Sequence, residues 1–304
     1  MWHCEVPLIS ATQIPQTIRI LEEKGLSLYH ACHYADLLSY LNLGGIPTRS
    51  LLSLGGHPFT AYETDAIDHA NDIWDKVFFN FSDFGFWFFR GGTARSLPNP
   101  FGPILLQLNP SILTTAAEVC ISLVSASRPG FSREIHGLGI DDVSRLFTQK
   151  PNTGQRWFPK MKHELQQDFP SHDVASPELH CSFPGDLAPF QNYLTWVTID
   201  PVPQLADTVR PLFRQHDLQP RFVERGCPNE NHRRLYEQIL IAARLGIRTL
   251  KDFQGMNAPE EYTRNWINTV QQWDRDSFQF RRFTEYTTNG TLIPLHPVED
   301  LEQF

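Results

Sequence analysis

The sequence predicts an α+β fold, a sheet of short strands with peripheral helices followed by a mostly helical C-terminal region. Three observations lead to it. Compact runs of aromatic and aliphatic residues, set off by Gly, Pro or Asn, recur between residues 26 and 199 and read as strands. Short segments between them carry apolar residues at helical spacing. Beyond Pro201-Val-Pro the pattern turns to amphipathic helix and many of the basic residues lie between Arg210 and Arg282, so the expected division is 1–201 and 202–304.

Residues 12–24 give the first helix, with Ile14, Ile18 and Leu21 on one face and Gly25 as the stop. In residues 26–31 alternation places Leu26, Leu28 and His30 on one side of a strand and Tyr29 on the other. A second helix over 36–43 ends at Gly44-Gly45, and residues 46–52 lead into a loop with Gly55-Gly56 and His57-Pro58. Residues 75–81, 102–110 and 119–124 read as further strands. Glycines and prolines break any periodicity over 128–177, and so long an irregular stretch is usually functional. Strands at 179–183 and 193–199 complete the sheet. Amphipathic helices follow at 231–245 and 259–273, the second with Tyr262, Trp266, Val270 and Trp273 on one face as a core stripe.

With 304 residues, 41% of them hydrophobic and 12% aromatic, the chain can bury a core without disulfide or metal staples. The net charge of −8 argues against a protein that coats duplex DNA by bulk electrostatics, because counterion release rewards a basic face. Any nucleic-acid contact must be local. Five cysteines without a C-x-x-C pair leave no disulfide framework and no four-ligand zinc site, so no metal is expected and a reducing compartment fits best. The first residues lack a basic stretch and an apolar core, and Asn109 and Pro110 break the most apolar stretch, 104–124. The expectation is a cytoplasmic protein, neither secreted nor membrane-spanning.

Leu28-Tyr-His-Ala-Cys-His-Tyr-Ala-Asp-Leu-Leu-Ser-Tyr-Leu-Asn-Leu-Gly-Gly-Ile-Pro-Thr-Arg-Ser resembles the opening of the DarT-like ADP-ribosyltransferase toxins, in which a strand-end histidine precedes a helix, a Gly turn and a small-basic step. Val77-Phe-Phe-Asn-Phe-Ser-Asp resembles their aromatic second strand, and Ser176-Pro-Glu-Leu-His-Cys-Ser-Phe-Pro-Gly-Asp-Leu resembles the strand that carries their catalytic glutamate. Order and spacing across residues 26–201 carry the resemblance. It implies an ADP-ribosyltransferase-like split β-sheet with NAD as co-substrate in its cleft. It implies further that ADP-ribose is transferred to a base of single-stranded DNA or RNA, by a toxin of a toxin-antitoxin or phage-defence module with a cognate antitoxin as partner.

The resemblance makes Glu178 the catalytic carboxylate. Cleaving the nicotinamide glycosidic bond builds positive charge on the ribose, which a carboxylate bound to a ribose hydroxyl stabilises. The same group or a neighbour must take the acceptor's proton. His30 would hydrogen-bond the adenine-side ribose, and Tyr29 beside it packs either on the cofactor or on the sheet. Phe79 or Phe81 would stack on nicotinamide, although alternation alone does not say which face of that strand meets the cleft. The family's phosphate-binding arginine has no counterpart in residues 50–76. Arg49, at the small-basic step, is the first candidate for gripping pyrophosphate, and Arg95, just after the gap, is the second.

Residues 128–177 would form the acceptor-reading loop, with Arg156, Trp157 and Lys160 suited to unpaired bases and their phosphates. Transfer to a protein side chain, plain NAD hydrolysis, and a degenerate binding module that has lost catalysis stand as alternatives.

Overall fold

In a computed structural model, the structure describes residues 9–60, 65–81, 103–146, 177–200 and 205–224. Helix α1 (Ile14–Glu23) buries Ile14, Thr17, Ile18 and Leu21 on one face, and Gly25 at φ 65° takes the left-handed turn that ends it. The chain continues through β1 (Leu28–Cys32), α2 (Tyr34–Leu43), β2 (Gly45–Pro47), α3 (Arg49–Leu54), α4 (Asp65–Ala70) and β3 (Val77–Asn80). Then come β4 (Ile104–Leu108), β5 (Glu118–Ser122), α5 (Arg133–His136), α6 (Ile140–Leu146) and β6 (Glu178–Ser182). Strands β7 (Leu187–Pro189) and β8 (Leu194–Ile199), helix α7 (Leu205–Gln215) and β9 (Arg221–Glu224) follow. This is a mixed α/β chain with several helices around largely antiparallel strands, the class the sequence predicts.

The chain separates into two compact units. The described residues of the first are 9–30, 38–60, 65–81, 106–146 and 177–196; those of the second are 31–37, 103–105, 197–200 and 205–224. The second unit therefore takes in short stretches that precede the division expected at residue 201. Within the first unit the strands run in the hydrogen-bonded order β5-β6-β3-β1-β4-β8. In the second, α7 buries Leu205, Val209 and Phe213, and Arg210 pairs with Glu224 at 2.7 Å.

The core of the first unit lies on one face of β3, β5 and β6. Val77 stands opposite Cys181, Phe79 opposite Leu179, and Ile121 opposite Leu179 from the other side; all are buried. Alternation puts Phe78, Asn80, Glu178 and His180 on the reverse face. A separate antiparallel pair, β2 with β7, matches Gly45 to Pro189 and Ile46 to Ala188. Gly45 is required there, since a Cβ would collide with the Ala188 carbonyl.

Two short helices, α3 and α4, add to the elements expected from the sequence, because six residues are too few to display a period. Strand β9 likewise interrupts a stretch expected to be helical. The predicted helices at 231–245 and 259–273 lie outside the described residues. Among the described residues no helix is long and apolar enough to cross a membrane.

Candidate active site

Register builds the site. Ser122 on β5 pairs with Glu178 on β6, Glu178 with Asn80 on β3, and Asn80 with Tyr29 on β1, all antiparallel. Directly opposed residues share a face with Cβ atoms about 5 Å apart, so Glu178, Asn80 and Tyr29 form one row across the sheet. All three are half-buried. Buried Pro177 precedes Glu178 and suits the start of a strand, where no ladder hydrogen bond is needed from its nitrogen.

A turn after β5 holds the Glu178 carboxylate. The Ala126 N–H donates to Oε2 at 2.8 Å and the Ser125 hydroxyl donates to the same oxygen at 3.3 Å. Asn71, just after α4, pins the turn by donating its amide to the carbonyls of Ala126 and Arg128, both at 2.8 Å. Ala126 is buried with Ile73, Val124 and Phe131, and Phe78 packs against that cluster. Loss of solvation pushes the Glu178 pKa up to about 7; the bonds from Ala126 and Ser125 oppose the rise, and the charge of Asp68 adds to it. The carboxyl is thereby divided between its two protonation states near neutrality.

Asp68 lies on α4 and is 7% exposed. Burial raises its pKa above the usual carboxylate value, a hydrogen bond from Ser127 opposes this, Asp65 adds to the rise, and Arg49 and His69 lower it. Its Oδ1 has no hydrogen-bond partner among the described residues. Arg49 is placed by the β2–β7 pair. The Thr48 N–H donates to the Asp186 carbonyl at 2.9 Å, and the Thr48 hydroxyl caps α3 by accepting from the Leu51 N–H at 3.1 Å. The Arg49 guanidinium lies 5.1 Å from the centre of the Phe59 ring. Arg49, Asp68 and Glu178 thus belong to one electrostatic group.

His30 is engaged by the protein. Its Nδ1 lies 2.8 Å from the Phe78 carbonyl and its Nε2 3.2 Å from the Tyr40 hydroxyl. A carbonyl only accepts, so Nδ1 carries a proton, and in the neutral ring Nε2 accepts from Tyr40. The ring edge meets Phe79, 6.3 Å between centroids. Strand alternation turns His30 to the core side while Tyr29 shares the face of Glu178.

Phe79 is 0% and Phe81 2% exposed. Both rings are buried in the core of the first unit. The aromatic of β3 on the Glu178 face is Phe78. His180, two residues beyond Glu178 on that face, is buried, and burial with the charges of Arg133 and Lys76 drives its pKa down to about 3, so it stays neutral. Arg95, Arg156, Trp157 and Lys160 lie outside the described residues.

Asp68, Asn80 and the 125–127 turn are missing from the sequence reading. Asp65 and Asp68 carry only the ordinary signal of acidic residues in a first helical turn. Asn80 was visible solely as part of an aromatic strand.

No family model and no curated protein matches the sequence. Solved structures similar to it include two of one protein. One is the Thermus sp. 2.9 DarT in complex with ADP-ribosylated ssDNA, at TM-score 0.40 and 11% identity, over 66% of this chain and 93% of that one. The other is the Thermus sp. 2.9 DarT in complex with NAD+, at TM-score 0.39 and 12% identity, over 66% of this chain and 94% of that one.

Proposed function

We propose that the chain is a NAD-dependent ADP-ribosyltransferase that modifies a base of single-stranded DNA or RNA and acts as the toxin of a toxin-antitoxin or phage-defence pair in the cytoplasm. The observation that carries this reading is Glu178, a half-buried carboxylate fixed by the Ala126 N–H and poised at about 7 in a sheet row between Ser122 and Asn80. The residues present suit the co-substrate. A carboxylate matches a ribose hydroxyl, an arginine matches pyrophosphate oxygens, and Asn80 and Tyr29 add neutral polar edges beside them. NAD supplies an activated glycosidic bond when bound.

Glu178 in its ionised form holds the ribose hydroxyl, stabilises positive charge as it develops on the sugar, and accepts the proton shed by the acceptor. Arg49, or Arg95 in its place, holds the phosphates. His30 at the end of β1 holds the adenine-side ribose, and its bonds to Phe78 and Tyr40 align the strand so that Tyr29 stays on the face of Glu178. Arg156, Trp157 and Lys160 hold the unpaired base.

Purified protein incubated with labelled NAD and equal masses of single-stranded DNA, RNA and cell extract tests the reading. Label on a nucleic acid supports it. Label confined to protein, or to free ADP-ribose, overturns the assigned acceptor.

A further inference from the structure

The turn that holds Glu178 also holds a second carboxylate. Ser125 and Ala126 donate to Glu178 Oε2, and the next residue, Ser127, hydrogen-bonds the side chain of Asp68. Asp68 arrives from a different element, α4, and is 7% exposed. Burying a carboxylate is costly unless its oxygens are compensated, yet Oδ1 has no hydrogen-bond partner among the described residues. A group left so in a folded core calls for a reason other than stability. The groups that act on Asp68 are Asp65 and His69 from its own helix, Ser127 from the turn and Arg49 from α3, while Asp68 acts on Glu178 of β6. Burial, the largest influence, and Asp65 favour its neutral form, and Ser127, Arg49 and His69 oppose them in favour of the ionised one.

We infer that Asp68 is a positioning residue of this site, a second carboxylate anchored on the same turn, whose negative charge adds to burial in making Glu178 the group that takes the acceptor's proton. The inference rests on the transferase reading above. In the transfer step the bond from the ribose carbon to the nicotinamide nitrogen breaks and its electron pair leaves with nicotinamide. A bond forms from the acceptor atom to the same carbon, and the proton that atom sheds passes to the Glu178 carboxylate. An ionised neighbour strengthens Glu178's hold on that proton without touching substrate.

The test is a titration of the full chain without NAD, with glutamate carboxyl carbons isotopically labelled and the Glu178 signal assigned by its loss in Glu178→Gln. The parent should titrate at about 7. In Asp68→Asn the midpoint should move to lower pH, and the pH limb of transfer activity should move with it. An unmoved midpoint in a folded Asp68→Asn overturns the inference. If that variant does not fold, Ser127→Ala decides, since removing the hydroxyl weakens the ionised form of Asp68. A lowered Glu178 midpoint then supports the inference and an unchanged one overturns it. Because the titration uses no NAD, its failure is distinguishable from a failure to transfer ADP-ribose.

Discussion

Burial raises the proton affinity of Glu178 while the Ala126 N–H and the Ser125 hydroxyl lower it, and burial wins, leaving the carboxyl at about 7. Two pH dependences follow. Activity that needs the ionised form should rise with pH through about 7, read as the acidic limb of kcat/KM. Stability runs the other way. The folded pKa lies above the ordinary 4.5, so this group's contribution is complete below 4.5 and is lost as pH rises through about 7. Melting curves at about pH 5 and about pH 8 should therefore show Glu178→Gln gaining on the parent at the higher pH. For His30, the bonds to the Phe78 carbonyl and Tyr40 predict that His30→Ala loses about 1 to 3 kcal/mol in a thermal melt. An unchanged Tm with NAD affinity lost would show instead that the ring serves the ligand.

The 125–128 turn is the element on which the site depends, and Asn71 is its pin. Removing two hydrogen bonds should cost about 1 to 2 kcal/mol, and the looser turn should misplace Glu178. Asn71→Ala is expected to lower transfer roughly tenfold, since small displacements of a reacting group are expensive. Activity equal to the parent's would separate the turn from the chemistry. None of this turn was legible in the sequence, where residues 125–128 offer only Ser, Ala and Arg before a proline. The strands were legible because β1, β3 and β6 each carry β-forming residues, and in β3 burial alternates as well. What alternation lacked was the sign of the face. Two equivalent faces of β3 become distinct only when β6 supplies Leu179 and Cys181 behind Phe79 and Val77. Asp68 was illegible for a related reason, since its neighbours Ser127, Arg49 and Glu178 are distant in sequence.

Across the whole chain the charge is −8, so the proposed nucleic-acid acceptor would have to be held by a local basic and aromatic stretch rather than by a general field. Single strands should then be labelled well and duplexes poorly, because pairing hides base edges and unstacking costs a few kcal/mol. Trp157→Ala should reduce labelling of single strands while sparing slow NAD hydrolysis. Equal labelling of duplex and single strand would remove the acceptor role from that stretch.

Release of nicotinamide from NAD by the parent and by Glu178→Gln, measured in the presence of single-stranded acceptor, bears most directly on the account. A charge preorganised against the transition state contributes a factor of at least ~100, so the parent should release nicotinamide and Glu178→Gln should be slowed by that much with its fold intact. Release at the parent's rate by a folded Glu178→Gln, or no release by the parent, would contradict it.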